Sequence, residues 1–135
     1  MNDYEKYERE CRAVRAENEM LLHQFKAWLE AAGLSETTIN RHRVNVDFYI
    51  NEFLLYYDVT RAHEGAASIG MFLGYWFNRK AAWVSGPVIK ANAASLKKFY
   101  TFMCERGYIE QSALQFLKTR IKNDMAEWIA KAERW

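Results

Sequence analysis

Proline, glycine and cysteine are scarce. One proline, six glycines and two cysteines in 135 residues are too few for many short strands joined by tight turns, so the chain reads as long helices. Cys11 and Cys104 are single and distant, and no CxxC or Cys/His spacing suits a metal. No signal peptide is read at the start. The expectation is therefore a reduced, cytoplasmic protein whose thiols serve as small core hydrophobes. Long apolar runs are missing too. The longest candidate, IGMFLGYWF from Ile69 to Phe77, falls well short of the roughly 20 residues that span a bilayer, and no membrane partner is expected.

Catalytic signatures are also missing. His23, His42 and His63 have no ligand partner at i+3 or i+4, and none belongs to an HExxH motif. There is no GxSxG, P-loop or GxGxxG. The carboxylates lie scattered among basic residues, the pattern of solvated i,i+4 pairs. The chain is expected to be no enzyme and to hold no cofactor.

What is present is a core and an uneven charge. Hydrophobic residues make up 50% of the chain and aromatics 16%, enough for one domain with a real interior. The formal net charge is only +2. Residues 79–122, however, hold 9 Lys/Arg against 2 Asp/Glu (net +7), whereas residues 1–78 hold 8 against 12 (net −4). Local potential steers ligands more than net charge does, so the basic stretch points to a polyanion unless it is only a solvated face.

Periodicity gives five helical segments and an all-α fold, a bundle of four to five helices. Residues 3–32 are rich in helix formers, with apolar positions at Leu21, Leu22, Phe25, Trp28 and Leu29 and a C-terminal stop at Gly33. Ser35 is the expected N-cap of a second helix whose stripe is Ile39, Val46, Ile50, Phe53 and Tyr57. A third helix spans residues 61–79, apolar on nearly all sides along GMFLGYWF. After a break at AAWVSG, Ser85 and Pro87 open a fourth helix. Its buried stripe is Ile89, Ala93, Leu96, Tyr100 and Met103, and Gly107 stops it. Ser112 and Gln115 read as a capping box for a long fifth helix. Its stripe is Leu114, Leu117, Ile121, Met125, Trp128, Ala132 and Trp135. Phe99, Tyr100 and Phe102, and likewise Trp76, Phe77 and Trp83, fall at core spacing rather than as base-stacking platforms.

Two outer faces carry polar chemistry. On the fourth helix Lys90, Ala94, Lys97 and Thr101 share one side, with Ala91 and Lys98 beside it. Long lysine stems reach phosphates while alanine lets the helix come close. On the second helix Thr38, Arg41 and Asn45 share one side, all able to bond phosphates or base edges. Any soluble helix has an outer face, so these residues alone leave both readings open.

Two stretches resemble the N-terminal core-binding (SAM-like) domain of tyrosine recombinases, or phage integrases. FKAWLEAAGLSETTINRHRVNVDFYINEFL, residues 25–54, is similar to the family's short amphipathic helix, Gly-Leu-Ser turn and Thr/Arg-bearing helix. VSGPVIKANAASLKKFYTFMCERGYI, residues 84–109, is similar to its Ser-initiated helix with a basic pair, aromatic run and Gly-Tyr-Ile turn. The resemblance covers roughly residues 20–112, leaving 113–135 as an extra C-terminal helix on a single domain. It implies a SAM-like helical bundle that holds one side of double-stranded DNA, in a setting of DNA recombination and integration. By position it carries over Thr37, Thr38, Arg41 and Arg43 in the first motif and Lys90, Lys97 and Lys98 in the second; Asn45 comes from periodicity. His42 stands where the family usually has Tyr, and Ala91 near a position often basic. The family's catalytic domain, with its His-x-x-Arg motif and nucleophilic tyrosine, has no counterpart here. The chain is thus expected to be a free-standing DNA-binding domain or a fragment of a larger recombinase. The alternative is a protein-interaction module that pairs with another copy or another recombinase subunit through the C-terminal helix, with Trp128 and Trp135 as anchors. A decayed integrase remnant without activity is the third possibility.

Overall fold

The computed structural model describes residues 2–80 and 84–134. Trp83 and Trp135, assigned above to the core and to the last stripe, lie outside them. Every regular element among the described residues is helical, as the shortage of turn residues requires. The chain divides into two compact units, Met1–Ala62 and His63–Trp135.

In the first unit, the first helix runs Asp3–Ala31. The Asn2 side chain accepts the Glu5 backbone N–H at 2.7 Å, and Asp3 and Glu5 favour the positive helix end. The buried stripe is Cys11, Val14, Asn18, Leu22, Phe25 and Leu29. It reaches into the charged half of the helix, where Cys11 and Val14 pack with Leu55, Tyr7 and Val59. Gly33 takes φ +82° and stops the helix, its N–H bonding Glu30 O at 3.0 Å. The second helix, Glu36–Asp47, begins with Ser35 Oγ accepting the Thr38 N–H at 3.2 Å.

Beyond Asp47 the helix widens into a π-helical turn, Phe48–Phe53. Asn18, fully buried, donates to Ile50 O at 3.2 Å and to Asn51 Oδ1 at 2.8 Å, tying the first helix to this turn. Tyr57, expected on the buried stripe, is 61% exposed. The helix ends at Phe53, and Tyr57 lies in a bend beyond it, outside any helical stripe. Ile39, Val46, Ile50 and Phe53, all within the helix, are buried as expected.

In the second unit, the third segment is composite. A 3₁₀ stretch from Ala62 to Ser68 leads to a short α turn, Ile69–Met71. A π-helical turn, Phe72–Trp76, and a last α turn, Phe77–Lys80, follow. Phe72, Leu73, Trp76 and Phe77 are buried, but Met71 is 52% and Tyr75 49% exposed. The segment is therefore not enclosed on all sides.

The fourth helix, Gly86–Glu105, buries all five residues of its expected stripe and Phe99 and Phe102 as well. Ser85 has the extended backbone of an N-cap but no side-chain capping bond. Gly107, at φ +76°, turns the chain into the fifth helix, Gln111–Ala132, which packs against the fourth. The expected capping box is absent: Glu110 holds the N-cap position, and Ser112 lies within the first turn. Cys104 is only half-buried, its Sγ donating to Gln111 Oε1 at 3.3 Å, so it is not a plain core hydrophobe.

The fifth helix also packs on the third segment, and two glycines set how closely. A Cβ on Gly74 would lie 2.8 Å from Trp128 Nε1, and one on Gly70 would lie 1.9 Å from an Arg120 guanidinium nitrogen. Trp128, 3% exposed, fills the notch at Gly74. It is buried within its own unit.

Two predictions test this packing by urea denaturation. Asn18→Ala should cost about 2 kcal/mol, because it strips a donor from a buried carbonyl and from Asn51; no measurable loss would show that the turn does not need the tie. Gly74→Ala should cost about 1–3 kcal/mol, because a buried indole cannot step aside. Gly70→Ala should be close to neutral, because the half-exposed Arg120 arm can swing away and alanine adds about 1 kcal/mol of helix propensity. The reverse ranking would contradict the notch.

Candidate nucleic-acid interface

The outer face of the second helix is set by its Ser35 cap, which fixes where the helix starts and so which residues point away from Ile39 and Val46. Thr37 and Arg41 are exposed, and Thr38 and Asn45 are half-buried. At 100° per residue, Thr37 and Asn45 lie about 40° to either side of Arg41, and Thr38 about 60° away. These four share a face. The Thr38 hydroxyl accepts from Ser35 Oγ at 3.0 Å, so it is engaged in the cap. Arg43 lies about 200° from Arg41 on the same wheel and does not join this face. It is half-buried, and its Nε is buried with no hydrogen-bond partner among the described residues.

The face of the fourth helix comes out nearly as periodicity expects. Lys90, Ala94 and Lys97 are exposed, while Ala91, Lys98 and Thr101 are half-buried. The Thr101 hydroxyl donates back to Lys97 O at 2.7 Å, which leaves the two ammonium groups as its principal donors. Lys90 and Lys97 stand seven residues apart, about 10.5 Å along the axis. Lys98 projects about 100° to one side of Lys97. Ion pairs among the described residues include Arg61–Glu17, Arg120–Asp124 and Lys131–Glu127. Arg41, Arg43, Lys90, Lys97 and Lys98 take part in none of them, so their charge is not cancelled locally. The second unit as a whole carries 11 Lys/Arg against 6 Asp/Glu, net +5, and the first carries 8 against 11, net −3.

A second basic locus in the second unit escaped the sequence reading. Tyr75, Asn78, Arg79, Lys131 and Arg134 line an open pocket of about 250 Å³ together with Gly74. The available signal was Tyr75 and Arg79 at i,i+4 at the start of the basic stretch. Lys131 and Arg134 come from more than 50 residues later in the chain, and only the packing of the fifth helix unites them.

His42 is buried, and His23 and His63 are exposed. No group of three or more His, Cys, Asp or Glu able to hold a metal occurs among the described residues. Complete burial pushes the Tyr100 hydroxyl well above the ordinary tyrosine range, which keeps it neutral and fits its place in the core. Tyr7 is also raised, first by burial and then by its neighbour Cys11; its hydroxyl donates to Leu55 O.

No family model, curated protein or solved structure matches the chain.

Tyr100 gives a pH prediction. An unfolded tyrosine loses its proton near pH 10, whereas the buried one holds it to higher pH. The stabilisation is therefore complete below about pH 10 and is lost above it as the unfolded state deprotonates first. Denaturation midpoints should fall as pH rises past 10, and Tyr100→Phe should flatten that fall. An unchanged slope in the variant would refute the assignment.

Proposed function

We propose that the chain is a non-catalytic module that binds double-stranded DNA, of the kind represented by the core-binding domain of tyrosine recombinases. In this reading the chain forms a SAM-like helical bundle and works in a cytoplasmic setting of recombination or integration. The second helix presents Thr37, Arg41 and Asn45, and the fourth presents Lys90 and Lys97, with Lys98 at the edge. Thr38 serves the helix cap, and Arg43 stands apart from the DNA-facing side. The observation that carries the reading is the pair of exposed, locally uncompensated lysines on the fourth helix. They flank Ala94 on the helix for which the resemblance implies DNA contact.

The chemistry is positional and electrostatic. Lysine ammonium groups replace condensed counterions at phosphates, which yields affinity with little sequence discrimination. Arg41 and Asn45 have the donors and acceptors for base edges, and Thr37 for a phosphate or a base. Nothing in this reading requires a metal, a nucleophile or a cofactor.

The test is the salt dependence of duplex binding in single variants. Lys97→Ala and Lys90→Ala should each reduce the slope of log K against log salt by about 0.9, one phosphate contact apiece. Arg43→Ala should leave that slope unchanged. Equal slopes for wild type and both lysine variants would rule out phosphate contact by the fourth helix.

A further inference from the structure

The pocket beside Gly74 combines features that the duplex-binding faces lack. It brings three cations, Arg79, Lys131 and Arg134, around an aromatic ring that is half exposed. The Arg79 guanidinium carbon lies 5.2 Å from the centroid of the Tyr75 ring, so this cation is held in place before any ligand arrives. A pre-positioned arginine loses less side-chain freedom on binding, and its planar fork of donors matches phosphate oxygens. Asn78 Oδ1 is buried and has no hydrogen-bond partner among the described residues, an acceptor left over beside the pocket.

Helix dipoles explain only part of this charge. The fifth helix and the third segment both end here, and each C-terminus has a partial charge of about −0.5 at most. Glu127 contacts Lys131 at 3.4 Å. Three cations against one carboxylate and about one unit of dipole charge still leave an excess of roughly +1. The adjoining groove of about 440 Å³ differs: it shares Gly74, Tyr75 and Lys131 but also holds the Arg120–Asp124 pair at 2.8 Å. Its added charges cancel, so the attraction for an anion is concentrated at the Arg79 end.

We infer that this pocket binds the phosphate of a nucleotide, with the base lying against Tyr75. Arg79, Lys131 and Arg134 hold the phosphate. Aromatic side chains take bases of any sequence because every base has a π face. The nucleotide is either free or part of a single strand, and the two sources share this chemistry. The site is independent of the lysines on the fourth helix, so it stands or falls separately from duplex binding.

The experiment titrates the full chain with AMP, a 5′-phosphorylated oligothymidylate and inorganic phosphate, using calorimetry at low salt. At millimolar ligand, AMP or the oligonucleotide should bind. The Arg79→Gln/Arg134→Gln double variant should weaken that binding about tenfold or more, since each loses a charge-assisted bond. Both arginines are exposed, so an unchanged helical circular dichroism signal is the control for folding. Tyr75→Leu should weaken nucleotide but not inorganic phosphate binding, and Lys118→Ala, at an exposed lysine outside the pocket, should change neither. Binding of AMP alone identifies a free nucleotide as the source, and binding of the oligonucleotide alone identifies a strand; either supports the site. Binding of inorganic phosphate without AMP or oligonucleotide, or nucleotide affinity unchanged in the double variant, would overturn it.

Discussion

Each unit depends on one wide helical turn. A π-helical turn closes an i→i+5 bond, so it places residues five apart on the same side. In the second unit this aligns Phe72 with Phe77, whose rings stack 4.9 Å apart, while Trp76 stacks on Phe72 at 6.0 Å. An unbroken α-helix would point Phe77 about 140° away from Phe72. In the first unit the turn Phe48–Phe53 buries Tyr49, Ile50 and Phe53 together, and Tyr49 stacks on Phe53 at 5.3 Å. Wide turns have weaker backbone bonding, and the first is held from outside by Asn18. Aromatic burial is what such a turn gains in return.

The same geometry shapes the surface. Turning Phe72, Trp76 and Phe77 inward leaves Met71 and Tyr75 outward. Gly74 lies between them, where the absence of a side chain admits the Trp128 indole. That contact docks the end of the fifth helix beside Tyr75 and brings Lys131 and Arg134 to Arg79. A core constraint thus assembles a basic, aromatic pocket from residues far apart in the chain. The faces proposed to meet DNA arise differently, as the outer sides of two helices, the second capped by Ser35 and the fourth ended by Gly107.

Local physics was legible in the amino-acid sequence, and long-range physics was not. Gly33 and Gly107 end helices at positive φ, and Ser35 caps, because these are single-residue effects. The stripe from Ile89 to Met103 is buried as periodicity predicts because that helix is regular throughout. Tyr57 was misplaced because the stripe was continued past Phe53, where the helix ends. Ser112 matched a capping pattern, but the helix begins one residue before it, with Glu110 as its cap. The exposed lysines at 90 and 97 followed from the wheel, whereas the separation of Arg43 from Arg41 was obscured by treating the motif as a unit. The pocket at Tyr75 was out of reach, since its two halves meet only through tertiary packing.

The central claim is that the chain grips duplex DNA through its phosphates. The most direct measurement is a fluorescence anisotropy titration of the wild-type chain against a random-sequence duplex across a salt series. The account predicts binding at low salt that weakens linearly in log K against log salt, with a slope of several phosphate contacts at about 0.9 each. No duplex binding at the lowest salt, or an affinity indifferent to salt, would contradict it.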